Sequence, residues 1–305
     1  GGLKMKTWLI TGCSSGIGRG IAKAVLKKGD NAVVTARDTS KIADLVDQYP
    51  NTALGVALDI TKKESISAAV KQAQERFGTI DVLINNAGYG YRSSVEEGDI
   101  DDVNLLFNTN FFGPIELIKE VLPQMRANKN GAIVNVSSIA AVRSGVGSGY
   151  YAASKAALEL MTDGLAKELK PLGIKVMIAQ PGSFRTNFYD TSLKGTKNKI
   201  DDYNETAGKT RKENVVNHKN QPGDPDKGGQ VIVDTIEKDN YPFRLLLGSD
   251  ATKIVASALE ERIQEIETWK NISSQSDFTL IQLLKCPVQK CSIISKTSVN
   301  LSVSI

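Results

Sequence analysis

Thr7-Trp8-Leu9-Ile10-Thr11-Gly12-Cys13-Ser14-Ser15-Gly16-Ile17-Gly18 is the stretch that decides the fold. Residues 7–11 read as a strand, a glycine-rich turn follows, and a helical pattern begins behind it. A strand, a glycine turn and a helix N-terminus together form an anion site. Glycines let the backbone turn sharply and approach a pyrophosphate, and the helix dipole favours negative charge. The spacing is neither GxGxxG nor a P-loop, because no Lys-Ser or Lys-Thr follows the glycines. Alone, such a turn can be a connection that binds nothing; its place between the first strand and a helix favours the anion site.

Further short β-branched runs continue the pattern at residues 32–36, 54–58, 82–85, 132–136, 175–179 and 244–247. Between them lie apolar spacings of three and four, as in Ile66, Ala69, Val70, Ala73 and Phe77, or Leu158, Met161, Leu165 and Leu169. Strands alternating with helices predict an α/β fold with a doubly wound parallel sheet. The alternation is unbroken, so one domain is expected over residues 5–270, although 305 residues allow about two. Residues 183–227 form a long polar connection after a strand, expected to be a substrate loop. Residues 271–305 are Ser-rich without a clear period and are expected to form a poorly ordered tail.

Composition excludes several chemistries. The net charge of +4 argues against a nucleic-acid binder, and no run approaches the ~18 apolar residues of a membrane span. No signal peptide precedes the first strand, Gly1-Gly2 reads as an expression remnant, and a cytoplasmic location is expected. Three cysteines make no disulfide framework, and one histidine, His218 in a Lys- and Asn-rich stretch, excludes a His-rich metal site; no metal is expected. Ser-His-Asp and Cys-His mechanisms fall with it, leaving Tyr, Lys, Asp or Glu for acid–base work.

Four motifs in order resemble the short-chain dehydrogenase/reductase family. They are TGxxxGxG at residues 11–18, Asn85-Asn86-Ala87-Gly88, Ser138, and Tyr151-Ala152-Ala153-Ser154-Lys155. Ser138 lies thirteen residues before Tyr151, and Asn110 and Pro181-Gly182 fall in register. Residues 244–250 are similar to the branch near 17β-hydroxysteroid and retinol dehydrogenases. The resemblance implies a Rossmann fold, a nicotinamide cofactor and hydride transfer between it and a carbonyl or alcohol carbon. It implies a catalytic set of Asn110, Ser138, Tyr151 and Lys155. It places the cofactor on Gly12, Ser14, Ser15, Gly16, Ile17, Gly18, Arg37, Asp59, Ile60, Asn86, Ala87, Gly88, Tyr151, Lys155, Pro181, Gly182 and Thr186.

The residues suit those roles chemically. Tyr151 and Lys155 are four apart on a helical pattern, so they share a face. A free Tyr titrates near ~10, and a neighbouring ammonium is expected to lower that value. Tyr150 is five from Lys155 and out of register. The Asn110 carbonyl would bond the N–H of residue 114 in an α-helix, but residue 114 is Pro; a free carbonyl and a kink at Gly113-Pro114 are expected. Asp59 can contact adenine or simply hold a turn, and Thr186 can bond the carboxamide or cap a short helix. Arg37 stands nineteen residues past Gly18, where the ribose 2′ substituent is read. An Arg there grips a 2′-phosphate, so NADP is expected, with NAD possible if Asp38 turns inward.

Phe184, Phe188, Tyr189, Tyr89 and Tyr91 suggest an apolar cleft for a hydrophobic ketone or alcohol; equally, they can anchor the loop to the core. The partners expected are that small molecule and a second copy of the chain, as a homodimer or homotetramer paired through helices near residues 102–125 and 151–170. A non-catalytic NADP-binding redox sensor is the alternative; it predicts loss of Ser138, Tyr151 or Lys155, and all three are present.

Overall fold

The computed structural model describes residues 5–278. Strand β1 (Thr7–Ile10) is buried at all four positions. A strand with helices on both faces needs no polar alternation, which is why Trp8-Leu9-Ile10 runs apolar without a break. The chain continues through α1 (Gly16–Lys28), β2 (Asn31–Ala36), α2 (Ala43–Gln48), β3 (Ala53–Ala57), α3 (Lys63–Phe77) and β4 (Val82–Asn85). A short β5 (Gly90–Arg92) precedes α4 (Ile100–Phe107), α5 (Gly113–Asn128) and β6 (Gly131–Val136). Then come α6 (Gly149–Leu169), β7 (Ile174–Pro181), a short β8 (Leu193–Gly195), α7 (Pro225–Ile236), β9 (Arg244–Leu247) and α8 (Ser249–Ser273).

Seven strands pair in parallel in the order β3-β2-β1-β4-β6-β7-β9. The order reverses between β1 and β4. A doubly wound sheet opens a crevice at that switch point, beyond the carboxyl ends of its strands. All seven expected strands are present, with bounds shifted by at most two residues.

Alternate residues divide the core between the two faces. Ile10, Val34, Ile84 and Val134 pack with Ile21 and Val25 of α1 and Ile232, Val233 and Ile236 of α7. Leu9, Val33, Leu83 and Ile133 pack with Ile66 and Val70 of α3, Leu117 and Val121 of α5, and Leu165 of α6. A buried polar chain crosses the second layer. Asn85 Nδ2 donates to Asn135 Oδ1 (2.9 Å), Asn135 Nδ2 to Thr162 Oγ1 (2.8 Å), and Thr162 Oγ1 to the Leu158 carbonyl (2.6 Å). Apolar contacts alone tolerate sliding; these directional bonds fix α6 against β4 and β6.

The expected kink takes another form. A π turn over Asn108–Phe112 separates α4 from α5, and the Gly113 N–H reaches the Asn108 carbonyl. One extra residue per turn removes the bond that Pro114, with no N–H, cannot make. A second, small sheet was not visible in the sequence pattern: β5 pairs in parallel with β8, a hundred residues later. The described chain divides into two compact units, one ending at Leu259 and one beginning at Glu260. The sheet and every expected site residue lie in the first. The second carries the last part of α8 and a 3-10 turn, Ser274–Ser276. Of the expected tail, residues 279–305 lie outside the described residues. Among the described residues no helix is long and apolar enough to cross a membrane.

Candidate active site

A cleft of about 640 Å³ lies across the carboxyl ends of the sheet. The glycine turn forms its floor. Gly12 and Gly16 hold φ of 70° and 61°, which a side chain would oppose. Gly12, Ser14, Ser15, Gly16 and Ile17 line the cleft. Gly18 is not among the lining residues. A Cβ on it would stand 2.2 Å from the Gly12 carbonyl oxygen, so its role is to let α1 close on the turn. Ser15 makes no side-chain bond at the start of α1, and the first turn carries no acid. The N–H groups of that turn are therefore left for an anion. Cys13 is buried, and burial pushes its thiol up to about 12, so it stays protonated.

Thr11 ties this turn to β4. Its Oγ1 accepts from the N–H groups of Asn86 and Ala87, each at 2.9 Å. Asn86 Nδ2 donates back to the carbonyls of Thr11 and Gly12 (3.1 and 3.2 Å). Asn110, on the π turn, is fully buried and sits behind the cleft wall. Its amide brackets Tyr89, accepting from the Tyr89 N–H (3.1 Å) and donating to the Tyr89 carbonyl (3.0 Å). It also donates to Ser154 Oγ (3.2 Å). A Cβ on Gly88 would meet Asn110 Oδ1 at 3.0 Å and Lys155 Nζ at 3.3 Å, so both groups converge on that glycine.

Ser138, Tyr151 and Lys155 line the same cleft. Ser138 follows β6 and caps a 3-10 turn by accepting from the Ala140 N–H (3.1 Å). Lys155 is buried and donates to the Val136 carbonyl (3.0 Å). Burial lowers its ammonium to about 8, opposed by the nearby Glu159 carboxylate. Burial also pushes the Tyr151 phenol up to about 12, against a pull downward from Ser138 and from the Arg92 charge. This corrects the expectation that Lys155 lowers the phenol. In this structure the ammonium serves the Val136 carbonyl, and desolvation of Tyr151 dominates. Tyr150 points elsewhere: its hydroxyl donates to the Val95 carbonyl (2.7 Å).

At the far end, Arg37 lines the cleft, is exposed, and has no hydrogen bond or ion pair among the described residues. Asp38, its possible rival, accepts from the N–H (3.0 Å) and hydroxyl (2.7 Å) of Ser40 and is thereby turned to its own loop. Asp59 and Ile60 also line this end. Burial opposes ionisation of Asp59, but bonds from Thr61 and the Lys62 and Arg37 charges hold its carboxyl low. On the opposite wall Pro181 ends β7, and the Gly182 N–H donates to the Leu247 carbonyl (2.9 Å). Thr186 stands over the glycine turn, 3.3 Å from where a Gly16 Cβ would be, and accepts from the Phe188 N–H (3.2 Å). A bare helix N-terminus, an unpaired Arg at the second strand and hydroxyls between them fit a phosphorylated dinucleotide.

The structure adds residues that spacing does not show. Arg92, Arg143 and Lys194 line the cleft, as do Phe188 and Tyr189. The Phe188 ring lies 5.6 Å from that of Tyr151. Glu97, fully buried, holds the long loop: it pairs with Arg211 and accepts from the Ile200 N–H (2.8 Å). These contacts join segments about a hundred residues apart, and no local signal announces them. His218 is exposed, and no group of His, Cys, Asp or Glu among the described residues could hold a metal.

Comparison with known proteins agrees with this geometry. Residues 6–196 match the family described as short chain dehydrogenase. The chain is 33% identical to Oxidoreductase BOA17 of Botryotinia fuckeliana (strain B05.10), covering 89% of this chain and 99% of that one. It is 35% identical to a 3-ketodihydrosphingosine reductase of Bacteroides thetaiotaomicron, covering 79% and 87%. A short-chain dehydrogenase from Streptomyces avermitilis superposes with a TM-score of 0.84 at 39% identity, covering 90% and 99%. Other solved structures of this fold hold NADP, NAD or NADH. The chain belongs to the short-chain dehydrogenase/reductase family and is an NAD(P)-dependent oxidoreductase of alcohols and carbonyls.

Proposed function

We propose that this enzyme interconverts a ketone and an alcohol on a largely apolar small molecule, with Tyr151 as general acid and base. The observation that carries the reading is the convergence of Ser138, Tyr151 and Lys155 with the glycine turn in one cleft. When bound, the nicotinamide would supply the hydride. Tyr151, whose phenol burial pushes up to about 12, is protonated at neutral pH and is ready to donate to a carbonyl oxygen. Ser138 holds that oxygen beside the phenol. Lys155, fixed by the Val136 carbonyl, would hold the cofactor's ribose through its ammonium, and Asn110 fixes the backbone of Tyr89 next to it. Arg37 takes a 2′-phosphate, which makes NADP the preferred cofactor. Phe188, Tyr189 and Tyr89 form the apolar wall; the 3-ketodihydrosphingosine reductase relative supports a hydrophobic ketone.

Exposed Phe112 and Leu160, at 52% and 73%, stand on the two helical segments through which pairing of two copies is proposed. The central test is Tyr151→Phe, which keeps the ring and removes the proton. Carbonyl reduction, followed by loss of reduced-nicotinamide absorbance across a ketone panel, should fall at least ~10²-fold, while cofactor affinity holds. A variant near wild-type turnover would end the assignment.

A further inference from the structure

We propose that the substrate carries a carboxylate and that Arg92 is the residue that recognises it. The inference rests on the reading of this cleft as the ketone and alcohol site. Arg92 ends β5, and β5 is held in place by β8 across the long loop. The side chain is half-buried and lines the cleft. Its one hydrogen-bond partner among the described residues is the hydroxyl of Ser148, a buried residue at the start of α6, three positions before Tyr151. Its charge reaches the Tyr151 phenol, so it belongs to the reacting end of the cleft.

A half-buried guanidinium needs a counter-charge, because a single hydroxyl does not replace the water it has lost. Two other guanidiniums that are at least partly buried have one: Arg211 pairs with Glu97 and Arg19 with Asp44. Arg92 has no carboxylate partner among the described residues. The cleft adds positive charge: Arg143 also lines it, and Lys194, opposite Tyr91 in the β5–β8 pair, lies 5.1 Å from the Tyr89 ring centre. Among the described residues, the one carboxylate lining the cleft is Asp59, beyond β3 at the Arg37 end.

The two ends of the cleft therefore follow one logic. Arg37 waits for a phosphate on the cofactor, and Arg92 for an anion on the substrate. The planar fork of Arg suits a carboxylate. Phe188, Tyr189 and Tyr89 would cover the apolar body between that carboxylate and the carbonyl. The substrate class is thus an amphiphilic oxo acid and its hydroxy-acid product.

The test measures binding, so that it does not depend on turnover. Enzyme loaded with NADP is titrated calorimetrically with a panel of aromatic and straight-chain oxo acids, 3-benzoylpropionate among them, each against its methyl ester. At least one acid should bind ten times or more tightly than its ester. Arg92→Met should remove at least tenfold of that affinity, or about 1.4 kcal/mol, while the ester's constant moves less than twofold. Arg92→Lys should restore part of it, and unchanged NADP affinity confirms the fold of each variant. Esters that match or exceed their acids across the panel overturn the proposal. So does an Arg92→Met loss equal for acid and ester, which would give Arg92 a purely structural role. Acids that bind through Arg92 but are never reduced leave the recognition intact and count against the catalytic reading instead.

Discussion

Replacing Glu97 with Ala should detach the long loop from the rim of the site. The Glu97 side chain is fully buried, and its oxygens accept from the Ile200 N–H (2.8 Å), the Ser94 N–H (3.2 Å) and the Arg211 guanidinium. Among the described residues Arg211, with 9% of its side chain exposed, keeps only Asn204 Oδ1 (3.0 Å) and the Ile200 carbonyl (3.4 Å) once the carboxylate is gone. Leaving one partner of a buried ion pair unmatched costs about 3–5 kcal/mol. With a urea slope of roughly 3 kcal/mol/M for a chain this size, the unfolding midpoint should fall by about 1–2 M. Protease cleavage should concentrate between residues 196 and 214. The double variant Glu97→Leu with Arg211→Met should recover most of the loss, since an apolar pair of similar volume is close to neutral. The pair also has a pH signature. Burial alone would raise the Glu97 carboxyl, but the Ile200 N–H, Arg211 and Ser94 hold it at about 2 against an ordinary 4.5. Its contribution is whole above the unfolded value and is lost as pH falls through the folded one, so wild type should weaken between about pH 4.5 and 2 more steeply than Glu97→Gln. A Glu97→Ala midpoint within about 0.3 M of wild type would refute the clasp.

Three further outcomes are expected. Arg37→Asp should weaken NADP at least tenfold, about 1.4 kcal/mol, and leave NAD equal or better; titration of both cofactors checks it, and unaltered NADP binding sinks the role of Arg37. Because the Tyr151 phenol is held near 12, alcohol oxidation, which needs the deprotonated oxygen, should rise steadily from pH 6 to 7.5, below the Lys155 ammonium's value of about 8, while ketone reduction stays flat over the same range. An oxidation rate flat over that range would count against Tyr151 as the base. Leu160→Glu places a charge on an exposed apolar position of α6 and should shift the protein toward monomer in sedimentation at micromolar concentration; a wild type already monomeric removes the pairing proposal.

The chain's own pattern determined the strand–helix alternation, the parallel sheet and the floor of the cleft. These follow from local rules. Continuous apolar runs such as Trp8-Leu9-Ile10 report burial on both faces, and Gly12 and Gly16 sit where the backbone must take positive φ. Ser138, Tyr151 and Lys155 were legible too, since a loop after one strand and two turns of the next helix keep fixed spacings. Their electrostatics were not. The Tyr151 ring lies against Phe188, which arrives from a loop thirty-seven residues on, and the Lys155 ammonium is held by a carbonyl of β6. The π turn at Asn110 was half legible: Pro114 announced a missing bond, but packing chose an extra residue per turn as the remedy. Arg92, Glu97 and the β5–β8 pair belonged wholly to tertiary structure. Whether a charged residue is paired, orphaned or facing a ligand is decided by groups a hundred residues away in the chain, and periodicity carries no record of them.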